Sequence, residues 1–343
     1  MTISIAHARR EPAPAHRSRR RPTGARLLTL AATVLALVAL VGVGPASALS
    51  GQTRLHDPTV IKVGDCYYGY STGFERDPAN PTGQVTMHRS CGTGGVSGWT
   101  ALGPIFSSTP AWITSALGRI PPNIWAPDVF THRGTYYLYY AASIWGQSTS
   151  AVMGLATASS PTGPWTDRGM VTNVNYPIDP NIAWGPDGRQ YMAWGSFNGI
   201  YMHVMDAGTG KLSTTDHNLW KLATGIENPT IVLNGGWYYL FGSRGLCCSG
   251  VNSTYYTVVG RSQSITGPYL DQAGKPMASG GGTTVLTGAS PRVAAGGGDA
   301  FDDGTAKRLA YHYYDANNNG RETLDIRTIT FANGWPVMGP PAS

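Results

Sequence analysis

Four segments of this 343-residue chain set an acid beside a proline: His56-Asp57-Pro58, Pro127-Asp128, Asp179-Pro180 and Glu227-Asn228-Pro229. A fifth acid, Asp299, follows a run of glycines. Each heads an apolar run, then a polar turn, then a strand rich in aromatic residues, such as Tyr67-Tyr68-Gly69-Tyr70 or Trp237-Tyr238-Tyr239. A lone Asp-Pro is usually a turn former whose carboxylate bonds backbone amides. Five acids heading five similar units suggest instead that the units gather them. Crowded carboxylates cannot all ionise normally; one is pushed up and can act as a general acid while another acts as base. That division of labour is what glycosidic bond cleavage needs. Clustered acids also hold divalent cations, but no Asp-x-Asp-x-Asp-Gly loop is present, and Asp315-Ala316-Asn317-Asn318-Asn319-Gly320 reads as an Asn-Gly hairpin turn.

Something must bring these distant acids together. The chain has 45 glycines, few charges and almost no helical periodicity, a pattern of short strands and tight turns. Units of roughly 40–50 residues suit four-stranded blades. The expected fold is therefore all-β, a five-bladed β-propeller with the active site at one mouth of the central channel. Innermost strands line such a channel, so Asp57, Asp128, Asp179, Glu227 and Asp299 are expected at equivalent positions around that mouth. Flat rings stack on sugar faces, which makes Trp125, beside a channel strand, and Trp145, in a Gly/Ser-rich loop, candidates for substrate contact.

Residues 1–48 differ from the rest. A basic stretch precedes the apolar run 27–43 and the small-x-small segment Ala46-Ser47-Ala48, the order of a secretory signal peptide. No stop-transfer charges follow, which argues against a membrane anchor. The leader's seven Arg and one Glu account for the whole formal charge of +6. The remainder, 49–343, is then neutral and reads as one secreted, monomeric domain, with no electrostatic reason to bind nucleic acid or a membrane. Export permits disulfides. Cys66 and Cys91 lie on and beside successive strand-like runs and are placed to bridge. Cys247 and Cys248 are adjacent, where a bridge is strained and free thiols are the alternative.

The segments His56-Asp57-Pro58, Trp125-Ala126-Pro127-Asp128, Ile178-Asp179-Pro180-Asn181 and Glu227-Asn228-Pro229 resemble the signatures of family 43 glycoside hydrolases. Two further runs, Cys247 to Tyr255 and Tyr313-Tyr314-Asp315-Ala316-Asn317-Asn318-Asn319-Gly320, are similar to those of its endo-1,5-α-L-arabinanases. The resemblance covers about residues 52–340. It implies inverting hydrolysis of α-1,5-linked arabinan or arabino-oligosaccharides, with Asp57 as general base, Glu227 as general acid and Asp179 raising and orienting the acid. It places Trp125, Trp145 and Ser196 along the substrate cleft, and Asp128, expected at the channel mouth, is a further candidate for substrate binding. The group commonly holds a metal ion on the axis through a His in a Gly-His-Asn segment. Gly297 falls where that His would stand, so no calcium or other ion is expected to be required. The competing readings are an exo-acting arabinofuranosidase or β-xylosidase of the same family, and a carbohydrate-binding propeller without catalysis, which would have lost one of the three acids.

Overall fold

The computed structural model describes residues 49–75, 77–92, 96–147 and 150–342. The expected leader lies outside the described residues. Five antiparallel sheets follow one another along the chain, four of four strands and one of five. Their innermost strands are Thr59–Val63, Trp125–His132, Asn181–Trp184, Glu227–Asn234 and Arg292–Asp302. Each touches the next, and the fifth touches the first, which closes the ring of a five-bladed β-propeller. Every blade is built from one continuous stretch, and closure joins the ends through backbone and side chains: the Leu324 N–H of the fifth blade donates to the Thr53 carbonyl, just before the first blade, at 2.9 Å. Tyr67 of the first blade donates to Asp303 of the fifth at 2.7 Å, while Leu55, Val60 and Trp99 pack with Leu324 and Ile326.

The second strand of each blade is covered on both faces by neighbouring blades. Its residues therefore read as continuous apolar and aromatic runs rather than an alternation; Tyr191 to Gly195 and Tyr238 to Ser243 are buried throughout. Cys66 and Cys91 face each other across the first blade's middle strands and are bonded. Cys247 and Cys248 are also bonded to one another, so the free-thiol alternative does not hold. The Asp315–Gly320 segment is a turn, capped where Asp315 accepts the Asn317 N–H at 3.0 Å. No helix among the described residues is long and apolar enough to cross a membrane.

One irregularity recurs in all five blades and positions the site. Pairing skips a residue between Glu227 and Thr230, between Trp125 and Asp128, and between Gly296 and Asp299. The same skip separates His56, bonded to Thr72, from Thr59, paired with Tyr70, and Ile178, bonded to Gly195, from Asn181, paired with Ala193. Inside each of these β-bulges one residue has positive φ: Asp57 (48°), Ala126 (32°), Asp179 (55°), Asn228 (52°) and Gly297 (59°). Bulges of this kind re-aim side chains and collect beside active sites.

The residues two places on, Thr59, Asp128, Asn181, Thr230 and Asp299, tie the blades together lower in the channel. Asp128 accepts Ile182 N–H at 2.8 Å, Asn181 accepts Ile231 N–H at 3.0 Å, Thr230 accepts Ala300 N–H at 3.0 Å, and Asp299 accepts Val60 N–H at 3.2 Å. The five acids are thus not equivalent, contrary to expectation. Asp57 and Asp179 occupy the bulge, Glu227 precedes it, and Asp128 and Asp299 follow it. The place relative to the bulge decides this: an acid at the positive-φ residue or just before it opens into the channel mouth, whereas one two places beyond it bonds the backbone of the next blade.

Candidate active site

The bulges at Asp57 and Asp179, and the residue before the bulge at Asn228, open into one cavity of about 480 Å³. Its walls include Asp57, Asp179, Glu227, Trp125, Trp145 and the bonded pair Cys247–Cys248. The three acids expected to cooperate therefore meet. Trp125 occupies in its blade the place that Glu227 occupies in its own. Its ring meets that of Trp145 edge-on, with centroids 6.1 Å apart, and Trp145 is 68% exposed. Two flat apolar faces thus stand at the rim above the acids.

Ser196 does not form the wall; it donates to Glu227 Oε2 at 3.1 Å. Asp128 requires a correction: it is buried below the cavity, with its carboxylate committed to the next blade. Burial, with the nearby Asp299 adding to it, pushes the Asp128 carboxyl well above the usual range. Its work is to join blades rather than to meet a substrate.

The three remaining acids have different electrostatics. Burial alone would raise Asp57, but the charge and hydrogen bond of His56, with the Thr72 hydroxyl, outweigh it and hold the carboxyl at about 2. His56 Nδ1 lies 3.1 Å from Asp57 Oδ2, and Thr72 donates to the same oxygen at 2.8 Å. Burial would lower His56, but Asp57 overrides it and raises the imidazole. Glu227 is raised, first by burial and then by the charge of Asp57, against the hydrogen bonds of Tyr255 and Ser196. Asp179 is raised well above its ordinary value by burial, then by Glu227 and Asp57, and only the Asn228 N–H at 3.0 Å opposes this. Asp57 is therefore an ionised carboxylate, while Glu227 and Asp179 compete for a proton between them. A carboxylate held low and a carboxyl pushed up thus line one cavity, a pairing that suits the acid and base of glycoside cleavage.

Tyr255 donates to Glu227 Oε1 at 2.8 Å, a contact not expected from sequence. It closes the Cys247-to-Tyr255 run already singled out, so the signal was present without a role. When Glu227 is protonated, Ser196 can turn its hydroxyl and accept, so the acid keeps both partners in either state.

Gly297 offers no ligand to an ion on the axis. A Cβ at Gly297 would stand 2.6 Å from Asp57 Oδ1 and 2.5 Å from the His312 ring, leaving no room for a side chain there. His56, Asp57 and His312 bring ligand atoms within 4.8 Å, the one such group among the described residues. Yet His312 Nδ1 receives the Asp57 N–H at 3.2 Å and His56 Nδ1 faces the Asp57 carboxylate, so these atoms already serve one another.

Comparison with known proteins follows the same line. The family model for glycosyl hydrolases family 43 matches residues 51–336. An extracellular endo-α-(1→5)-L-arabinanase of Bacillus subtilis is 37% identical over 295 residues, 82% of this chain and 87% of its own. An extracellular exo-α-(1→5)-L-arabinofuranosidase of Cellvibrio japonicus is 32% identical, covering 84% and 87%. Among solved structures, a Cellvibrio cellulosa α-L-arabinanase complexed with arabinohexaose superposes with a TM-score of 0.76 at 30% identity, covering 84% of this chain and 96% of that one.

Proposed function

The chain belongs to glycosyl hydrolase family 43, and from that premise we propose that it cleaves α-1,5-linked L-arabinofuranosyl bonds within arabinan, by inversion, as a secreted monomer. The observation that carries this reading is the meeting of Asp57, Asp179 and Glu227 in one cavity, with Asp57 held low and Glu227 pushed up. Asp57 takes a proton from water as its oxygen bonds to the anomeric carbon, and Glu227 gives its proton to the departing glycosidic oxygen. Asp179, raised by burial and by the charge of Glu227, resists ionising beside it, so the pair retains a proton for Glu227 to deliver. Trp125 and Trp145 offer faces for furanose rings. The extracellular names of both relatives and the leader-like first 48 residues support export.

Debranched linear arabinan tests the reading. Mixed oligosaccharides early in the reaction are expected, and NMR of the first-formed reducing end should show the β-anomer. A single small sugar from the outset would establish attack from a chain end, as in the exo-acting relative. A first-formed α-anomer would exclude inversion.

The reaction is further proposed to need no metal, because Gly297 offers no ligand and both histidine Nδ1 atoms are engaged with Asp57. Protein dialysed against EDTA should keep its activity. A loss that calcium restores would show an ion held by other groups.

A further inference from the structure

The base assigned to Asp57 has to be held in a strained place. Its φ of 48° is costly for a non-glycine residue and persists only where the surroundings over-determine it. What holds it can be worked out from protons. The Asp57 N–H can only donate, and its partner at 3.2 Å is His312 Nδ1. That nitrogen must carry a lone pair, so His312 is neutral with its one proton on Nε2. The 3.7 Å approach of His312 Nδ1 to Asp57 Oδ1 is then not an ion pair. Burial and the neighbouring His56 agree, holding His312 down at about 3.

His312 Nε2 lies 3.3 Å from the Tyr314 hydroxyl, which also receives the Cys248 N–H at 2.6 Å. The phenol oxygen accepts from the imidazole, which fixes the tautomer. His56 completes the circuit: its Nε2 is 3.4 Å from the same hydroxyl and its Nδ1 faces Asp57 Oδ2. An ionised carboxylate only accepts, so His56 carries a proton on Nδ1 in either charge state.

The two Asp57 oxygens are left unequal. Oδ2 receives Thr72 and His56. No donor among the described residues reaches Oδ1, and Gly297 keeps the space beside it clear. We propose that His312 and Tyr314 are positioning residues for the hydrolysis: Tyr314 fixes the tautomer of His312, His312 pins the Asp57 backbone in its left-handed conformation, and Oδ1 is thereby reserved for the attacking water. The water gives one proton to Oδ1 while its oxygen bonds to the anomeric carbon. This rests on Asp57 being the base.

Tyr314→Phe is the first test, since it removes one oxygen and keeps the ring. Its kcat on linear arabinan should fall about tenfold, with KM within twofold, as expected when a reacting group is misplaced and substrate binding is spared. The acid limb of kcat/KM should also move up. Losing the fixed His312 tautomer loosens Asp57 from its donors, and burial and the charges of Glu227 and Asp179 then raise it. Tyr255 and Glu322 also face this group, and neither is altered. His312→Leu should lose roughly a hundredfold, and His312→Asn, which keeps an acceptor for the Asp57 N–H, should recover most of that. Native kcat and an unmoved acid limb in Tyr314→Phe would overturn the proposal, as would a rise in KM alone, which would make Tyr314 a substrate contact. Asp57→Asn is assayed beside it. An active Asp57→Asn protein would remove the base assignment itself, whereas an inactive one beside a native-like Tyr314→Phe would remove only the positioning role.

Discussion

Glu227→Gln should lower kcat on linear arabinan by roughly a thousandfold or more while leaving KM within a few-fold, because proton donation contributes about 10²–10⁴ and arabinan's leaving group is a poor one. The substitution is nearly isosteric. Its carbonyl can still accept from Tyr255, and its amide can donate to Ser196, the arrangement that protonated Glu227 uses. Binding is therefore spared. A 4-nitrophenyl arabino-oligosaccharide gives the sharper reading, since that leaving group departs without a proton. The variant should lose no more than about tenfold on it. Equal losses on both substrates would show that Glu227 is not the acid.

The same variant carries a stability signature. A carboxyl raised by the fold retains stability below its unfolded value, about 4.3 for Glu, and loses it as the pH climbs toward the folded value. Native Glu227 is in this position, first through burial. Glu227→Gln should accordingly melt higher than the native protein at pH 7, with the gain shrinking toward pH 4. A variant that melts lower at pH 7 would contradict the raised state of the acid.

How far the sequence reaches can be judged at particular residues. The five blades are legible because each repeats a head, a turn and an aromatic strand that is covered on both faces. Asp57, Asp179 and Glu227 are legible because three such heads carry acids of the right type. The misplacement of Asp128 and Asp299 has a geometric cause. A β-bulge inserts one residue beside the proline, so an acid before Pro180 faces the cavity while one after Pro127 reaches for the neighbouring blade. Composition and spacing at one-blade resolution do not distinguish the two. Tyr255 and Tyr314 fall in runs that the sequence singles out and His312 in the last aromatic strand, yet none of the three has a legible role there. Their partners lie on other blades or other strands, and only packing reveals that a buried tyrosine ends on a catalytic carboxylate. Gly297 reads in sequence as a missing ligand; in the fold it is a position where a Cβ has no room beside Asp57.

Asp57→Asn should be the most damaging single change on activated substrates. Its amide oxygen can take the place of Oδ2, accepting from Thr72 and His56, which leaves the amide nitrogen where Oδ1 was. That nitrogen donates and cannot accept the water's proton. The loss in kcat should be roughly a thousandfold or more on both linear arabinan and the 4-nitrophenyl substrate, since water must be activated whatever the leaving group. The contrast with Glu227→Gln separates base from acid without a substrate-bound structure. His56 supplies an independent readout. Burial lowers its pKa, and chiefly Asp57 raises it again. With the charge at residue 57 removed, burial prevails, and the His56 imidazole should titrate at lower pH than in the native protein, a shift that NMR of the ring protons measures. Retained turnover of the aryl substrate would exclude Asp57 as the base. An unshifted His56 would show that the carboxylate does not hold the imidazole's charge.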